Sequence, residues 1–367
     1  MKALPFTPDL APAVAEFNAR LLAGGADPEL LFPADAKYAR PPELCGLREE
    51  RFLMVQERSV HGGFILRHQD FWLGETVVSI AHFRLPLSEG IVNRKFAGVG
   101  MQMVRHALGE QPLLFALGMG GRQRALPRLL EGMHWKLWDV PFYFYVNRPF
   151  RFLRGIRVLR SDAWRRAALD VAAWSGLGWV ASRMTHRVAQ SGTGRAAPDD
   201  VTIENIQAFS NWADELWDEC KPHYSFLAVR DSATLQFLYP EGSQRFLRRR
   251  VRRSGKTVGW FVALDTAMQG HKQFGNLRVG TIADALARPE DAEAVIHAAA
   301  GFLRAREVDL IVSNQMHPAW GAALRSAGFL KAPSNFVLAV SPKLEEYYGD
   351  ARGIHINRGD GDGPIHL

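Results

Sequence analysis

Apolar positions along the 367-residue chain recur with two different periods, and the periods alternate. Residues 11–22 (APAVAEFNARLL) space their apolar side chains for one face of a helix. The segments 52–56, 64–73 and 76–85 read as strands, bounded by turn residues such as Gly74. A helix is predicted over 98–108, with Met101, Val104 and Leu108 on one face. PLLFAL at 112–117 reads as a short buried strand, ALPRLLEGM at 125–133 as a helix closed near Gly132, and WKLWDVPFYFYV at 135–146 as a long aromatic-rich strand region. The stretch AQSGTGRAAPDD at 189–200 is small, polar and without apolar period, so it reads as a linker. Beyond it the same succession returns: strands at 257–265 and 274–282, a helix at 292–304, a strand at 308–314, a helix at 318–329 ending at a glycine, and a last strand at 334–341.

One fixed shift of 196 residues lays the halves on each other. It carries Leu113 through Leu117 onto Asp309 through Ser313, Gly132 onto Gly328, and the helix beginning at Gly98 onto that beginning at Ala294. The match lies in order and spacing of elements, and it points to a duplicated α/β unit.

Composition is that of an ordinary globular protein, 47% hydrophobic and 23% charged. Two cysteines, Cys45 and Cys220, exclude a disulfide framework and fit a reducing compartment. No run of eighteen apolar residues occurs and the first residues lack a leader's apolar stretch, so a cytoplasmic protein is expected. The twelve histidines fall in no metal-ligand spacing, and no metal is expected. The charge of +7 is unevenly spread. From Arg148 to Arg195 there are ten arginines opposed only by Asp162 and Asp170, with Trp164, Trp174 and Trp179 interspersed. A second cluster, RFLRRRVRRSGK at 245–256, contains no acid. Such runs are either solvated faces or surfaces that meet an anionic membrane or RNA; no feature points to DNA.

The chemistry concentrates in residues 93–108, NRKFAGVGMQMVRHAL. A helix start leaves backbone N–H groups without partners and carries partial positive charge, and glycines ahead of it let a phosphate approach the backbone. A competing glycine-rich stretch, LLFALGMGGRQRAL, makes a poor dinucleotide loop: Gln123 stands where a third glycine belongs and Pro127 interrupts the helix. Gly118, Gly120 and Gly121 there are better read as opening a cleft.

Strand, then [Gln/Arg]-x-x-Gly-x-[Gly/Ala], then helix, strand, helix and a closing Gly-Phe is an order that resembles the GNAT acyltransferases. Lys95-Phe96-Ala97-Gly98-Val99-Gly100 matches the glycines, with Lys where that family has Gln or Arg, and Ala327-Gly328-Phe329 matches the family's helix ending. The whole chain resembles a tandem GNAT protein. The fold this implies is α/β (α+β), two GNAT-like mixed β-sheet domains flanked by helices and joined by a basic helical connector. The expected division is 1–149 for the domain with the acyl-coenzyme A loop, 150–188 for the connector, 189–200 for the linker, 201–345 for a second domain with a degenerate loop, and 346–367 for a flexible Gly/Asp-rich tail in which Asp360 and Asp362 are the polar candidates. In the second half Ala294 and Ile296 replace the two glycines and Glu290, Asp291 and Glu293 precede them, so only the first half is expected to hold the cofactor.

By the resemblance, the amides of residues 95–101 (Lys95, Phe96, Ala97, Gly98, Val99, Gly100, Met101) grip the pyrophosphate of acetyl-coenzyme A or a longer acyl-coenzyme A. Amine attack on a thioester needs a base and an acid. Glu89 and His82 are the candidate bases, His82 also reading as a core histidine on the face of Val78 and Ile80. The family's acid Tyr is missing after the following strand, leaving Tyr143 as the candidate. The expected activity is N-acylation of a small amine, an amino sugar or amino-acid derivative. Two other readings stand beside it: an aminoacyl-tRNA-dependent transferase of the Fem type, and a non-catalytic degenerate GNAT pair acting as an interaction module in envelope or polysaccharide biosynthesis. Peripheral association with the inner membrane face would follow if the connector met anionic lipid.

Overall fold

The computed structural model describes residues 1–35, 46–157, 200–349 and 351–361. The connector from residue 158, its three tryptophans, the linker up to residue 199, Cys45 and Asp362 lie outside the described residues. The chain forms two compact units, Met1–Asp139 with Asn335–Gly349 and Val140–Ser334 with Asp350–Leu367.

In the first unit β1 (Lys2–Pro5) precedes α1 (Ala11–Ala23) and pairs antiparallel with β2 (Arg48–Gln56). β3 (Ser59–Leu73) and β4 (Thr76–Ser88) continue the antiparallel run, turning on Gly74 at φ 72°. The chain then crosses through α2 (Val99–Glu110) to β5 (Leu114–Gly118), which lies parallel to β4, and continues into α3 (Ala125–Gly132) and β6 (Lys136–Asp139).

The aromatic-rich region expected as one strand is two. Pro141 has no N–H to give a ladder, and the chain breaks there into β6 and β7 (Phe142–Val146). β7 belongs to the second unit, with α4 (Pro149–Gly155), β8 (Val201–Asn205), α5 (Asn211–Cys220), β9 (Phe226–Ala228) and α6 (Ser232–Leu238). There follow β10 (Leu247–Arg253), β11 (Lys256–Ala267), β12 (Arg278–Ala287), α7 (Ala292–Ala305), β13 (Leu310–Asn314), α8 (Pro318–Ser326) and β14 (Leu330–Ala332). β15 (Val337–Val340) and α9 (Pro342–Glu345) return to the first unit, and β16 (Ile354–His355) to the second.

The sheet orders expose an exchange. The first unit runs β1-β2-β3-β4-β5-β15-β6 and the second β14-β7-β13-β12-β11-β10-β8. Each half of the sequence thus gives one strand to the other's sheet, β7 to the second and β15 to the first. The expected boundary after residue 149 gives way to one at Asp139, because β7 pairs with β13 and β14 in the second sheet, while the late strand at 334–341 completes the first.

Side-chain alternation explains the layers. Phe52, Met54, Phe64 and Leu66 face α2 and α3, while Leu53 and Ile65 face Val14, Phe17 and Leu21 of α1. On α2 the buried face is Val99, Met103, Val104 and Ala107, and Met101, expected inside, is 40% exposed. In the second unit α7 and α8 cover Phe261, Ala263, Ile282 and Ile311. Among the described residues no helix is long and apolar enough to cross a membrane.

The exchange makes a prediction. A chain ending at Val146 contains β1–β6 but lacks the strand between β5 and β6. Expected is loss of the cooperative thermal transition by circular dichroism, since the β5 edge would carry unpaired buried amides at about 1–3 kcal/mol each. A cooperative transition like the parent's would contradict the exchange.

Candidate functional site

β4, α2 and β5 form a parallel crossover, and ligands of open α/β sheets sit outside the carboxyl ends of such strands. Here the pairing of β4 with β5 covers Ala81–Leu114 and His82–Phe115 only. Beyond it the strands part: the Leu117 N–H donates to Nε2 of His82 at 3.2 Å, not to a β4 carbonyl. His82 is 2% exposed and stacks on Phe115 at 4.7 Å. Its lone pair is committed to the sheet, so the imidazole bridges the parting strands.

Past β5 comes a run of left-handed backbone, Gly118, Met119, Gly120 and Gly121 at φ 96°, 57°, 74° and 103°. Three glycines adopt this freely, but Met119 carries a Cβ into it at a cost of order 1 kcal/mol. Sharp turning at this point takes the chain out of the sheet at the end of the crevice.

On the β4 side the loop is tied down. The Ser88 hydroxyl accepts from the Gly90 N–H at 3.0 Å, and the Asn93 side chain accepts from the Lys95 N–H at 3.1 Å. Glu89 is 4% exposed, with Arg20 donating to its two oxygens at 3.2 and 3.1 Å and His61 Nδ1 at 2.8 Å from Oε2. His61 in turn stacks on Phe96 at 4.0 Å. Burial by itself would raise the Glu89 pKa, but hydrogen bonds and charge from Arg20 and His61 outweigh it and hold the carboxyl below its ordinary range. The carboxylate expected as a base is enclosed, with both oxygens engaged.

α2 opens with no side-chain cap. Its first hydrogen bond runs from the Gln102 N–H to the Gly98 carbonyl at 3.2 Å, so the N–H groups of Val99, Gly100 and Met101 precede the helical ladder. Gly98 has φ −78°, open to any residue. A Cβ there would meet nothing within 4 Å, and one at Gly100 only Leu129 at 3.6 Å. Gly90 differs: a Cβ would lie 2.5 Å from the Phe96 carbonyl oxygen. Arg94 and Lys95 are exposed beside the helix start.

The structure brings Glu89, His82 and residues 95–101 into the first unit. Tyr143 lies in the second, 3% exposed in β7, with Arg325 donating to its hydroxyl at 3.4 Å and burial raising its pKa.

In the second unit the matching crevice is filled. β12 and β13 pair from Val279–Leu310 to Ile282–Ser313. Beyond, the Met316 N–H donates to the Ile356 carbonyl at 3.0 Å, and Asn357 bridges to Gln315. Asn357 Nδ2 donates to Asp284 at 2.8 Å, and Arg230 joins Asp284 (2.9 Å) and Asp360. The 346–367 segment expected as a flexible tail is therefore buried structure from Ile354 to Asp360. Ile354 and Ile356, alternating ahead of an Asn-x-x-Asp capping box, are the sequence signal that marks it. At the α7 start Ala294 and Ile296 are buried, Asp291 pairs with Arg253 at 3.0 Å and Glu293 accepts from Ser326.

The basic 245–256 cluster contains β10, and three of its guanidiniums are spent internally. Arg248 donates to the Tyr239 carbonyl at 3.1 Å, Arg249 lies 4.3 Å from the Phe302 ring and Arg250 4.7 Å from Trp212.

No protein-family model and no curated protein matches this sequence. Solved structures match in fold. One is a conserved protein of unknown function from Enterococcus faecalis V583, described as a probable N-acyltransferase, with a TM-score of 0.51 at 8% identity over 94% of this chain and 73% of that one. Another is Saccharomyces cerevisiae N-myristoyltransferase with bound myristoyl-CoA, with a TM-score of 0.51 at 8% identity over 96% of this chain and 83% of that one. At such identities the likeness is one of fold. The chain has the fold of these N-acyltransferases, as the expected pair of GNAT-like mixed-sheet units implies.

Proposed function

We propose that the first unit binds acyl-coenzyme A, with its pyrophosphate on the bare amides of Val99, Gly100 and Met101, and that the protein is an N-acyltransferase for a small amine of the amino-sugar or amino-acid class. The observation that carries this reading is an uncapped helix start, exposed at Gly98 and Met101, whose glycines neither backbone geometry nor packing demands, beside the parting of two parallel strands. The like-folded yeast enzyme carries myristoyl-CoA. Lys95 and Arg94 add positive charge at the same place.

In the reaction the acceptor nitrogen attacks the thioester carbonyl carbon and an amide bond forms. The C–S bond breaks, and the proton lost by the amine balances the departing thiolate. Glu89, enclosed by Arg20 and His61, acts here as a positioning residue: through His61 and Phe96 it fixes the loop that presents the amides. The second unit, with its crevice filled by residues 354–360 and acids at its helix start, takes no cofactor.

Calorimetric titration of acetyl-coenzyme A tests the site. Gly100→Val should weaken binding at least tenfold, since each charge-assisted bond lost costs about 1.5–3 kcal/mol. Lys95→Ala should cost less, as an exposed, screened charge, and Ile296→Val nothing. Parent-like binding by Gly100→Val would remove the acyltransferase reading's main support.

Glu89→Gln separates anchor from base. As an anchor it raises KM for acyl-coenzyme A severalfold and leaves the pH profile of kcat in place; as a base it collapses kcat. The depressed carboxyl pKa also fixes a sign. Its stabilisation is complete above about pH 4.5, the ordinary value, and is lost as pH falls through the lower folded value. The parent's melting temperature should therefore drop more steeply than the variant's on acidification below that point.

A further inference from the structure

The second unit carries a cavity of about 750 Å³ at the amino-terminal ends of β12 and β13, away from the filled crevice. Phe150, Arg151, Arg154, Arg157, Asn276 and Asp309 contribute to its lining. Its wall is built by close backbone approach. A Cβ at Gly155 would lie 2.5 Å from Leu277, and one at Gly275, at φ 61°, would lie 2.3 Å from the Gly155 carbonyl oxygen. The Arg157 N–H donates to the Gln273 carbonyl at 3.1 Å, and its guanidinium to the Gly270 carbonyl at 3.3 Å. Helix α4 is thus seated firmly on the β11–β12 loop.

Two observations define the chemistry. Arg151 and Arg157 have no carboxylate partner among the described residues, and Arg154 lies 5.6 Å from the ring of Phe150, itself 42% exposed. Three guanidiniums around one concavity are a phosphate-recognising set. The second observation is Asp309, 3% exposed. Its Oδ2 accepts from the Arg278 N–H at 2.9 Å, whereas its buried Oδ1 has no partner among the described residues. Asp309 is among the residues lining the cavity, and a buried carboxylate oxygen left without a donor calls for one. We propose that this cavity binds a phosphate-bearing ligand with a hydroxyl or ammonium donor next to the phosphate. The phosphate meets Arg151, Arg154 and Arg157, and the donor meets Asp309. Phospholipid head groups and soluble phosphomonoesters share that chemistry, and the cavity volume suits either.

The test uses the full chain. sn-Glycerol 3-phosphate and inorganic phosphate are titrated by calorimetry, and vesicles of phosphatidylglycerol in phosphatidylcholine are tested by sedimentation. Gly100→Val serves as background, so that anion binding at the α2 start does not contribute. Expected is saturable glycerol phosphate binding that Arg151→Gln/Arg154→Gln/Arg157→Gln weakens at least tenfold. Asp309→Asn, which keeps the acceptor for the Arg278 N–H, should abolish the preference for glycerol phosphate over inorganic phosphate. Vesicle binding with the same arginine dependence assigns the site to lipid; binding of the soluble ester alone assigns it to a metabolite. If the triple variant melts below the parent, Arg151→Gln alone, at an exposed position, is read instead. Binding in both arms that ignores the arginines, or no saturable binding in either, overturns the proposal.

Discussion

The pairing of β15 with β5 is the constraint on which the rest of the first unit depends. β5 is buried along most of its length, and β4 pairs with it at only two positions. β15 supplies four more, from Val337–Gly118 to Val340–Phe115, and the Ser341 hydroxyl accepts from the Leu114 N–H and donates to the Pro112 carbonyl. Because β5 is held on this edge, it can leave β4 beyond Phe115 without leaving the sheet. The crevice at the carboxyl end of β4 thus exists by virtue of a strand taken from the other half of the sequence. His82 satisfies the one amide, that of Leu117, that the parting would otherwise strand in the core.

The second unit repeats the arrangement with β7 holding β13 through five paired positions, and β13 parts from β12 after Ser313. There the opening is closed by the chain itself. Arg230, Asp284, Asp360, Tyr239 and Asn357 form one buried network in which Tyr239 donates to Asp284 at 2.6 Å. Desolvating an arginine and two aspartates is expensive unless their hydrogen bonds are mutually filled. Here Arg230 faces both carboxylates, and the Asn357 N–H donates to Asp360 at 2.8 Å. Two crevices of common topology therefore have opposite fates: one lies beside an uncapped helix start, the other is sealed by a charged plug.

Much of this was legible in the residue pattern. The 196-residue shift carries both ends of β5 onto both ends of β13, and the fold class followed from the order of elements. Strand exchange was not legible, because VLAV reads as a buried strand whichever sheet receives it. β10 was hidden by its arginines, whose aliphatic stems and planar heads pack on Trp212 and Phe302, so a core-facing strand resembled a solvated charge run. Glu89 was legible as a special carboxylate but not as an enclosed one, because Arg20 and His61 reach it from positions 69 and 28 residues away.

The glycines on either side of the β4–β5 crevice separate by the reason each is glycine. At Gly90 the Phe96 carbonyl leaves no room for a Cβ, so the fold alone accounts for it. Gly118, Gly120 and Gly121 are accounted for by their left-handed backbone. Gly98 and Gly100 have neither reason: neither has positive φ, and each has room for a side chain. Gly98 stands at the N-cap, where glycine is favoured, but Gly100 lies inside α2, and glycine within a helix costs up to about 0.5–1 kcal/mol against alanine. The folded structure offers nothing internal to offset that cost at Gly100. What the missing side chains do achieve is an approach to three amides ahead of the first helical hydrogen bond. The acyl-coenzyme A proposed for this site, which needs bare backbone, would supply the reason the fold does not.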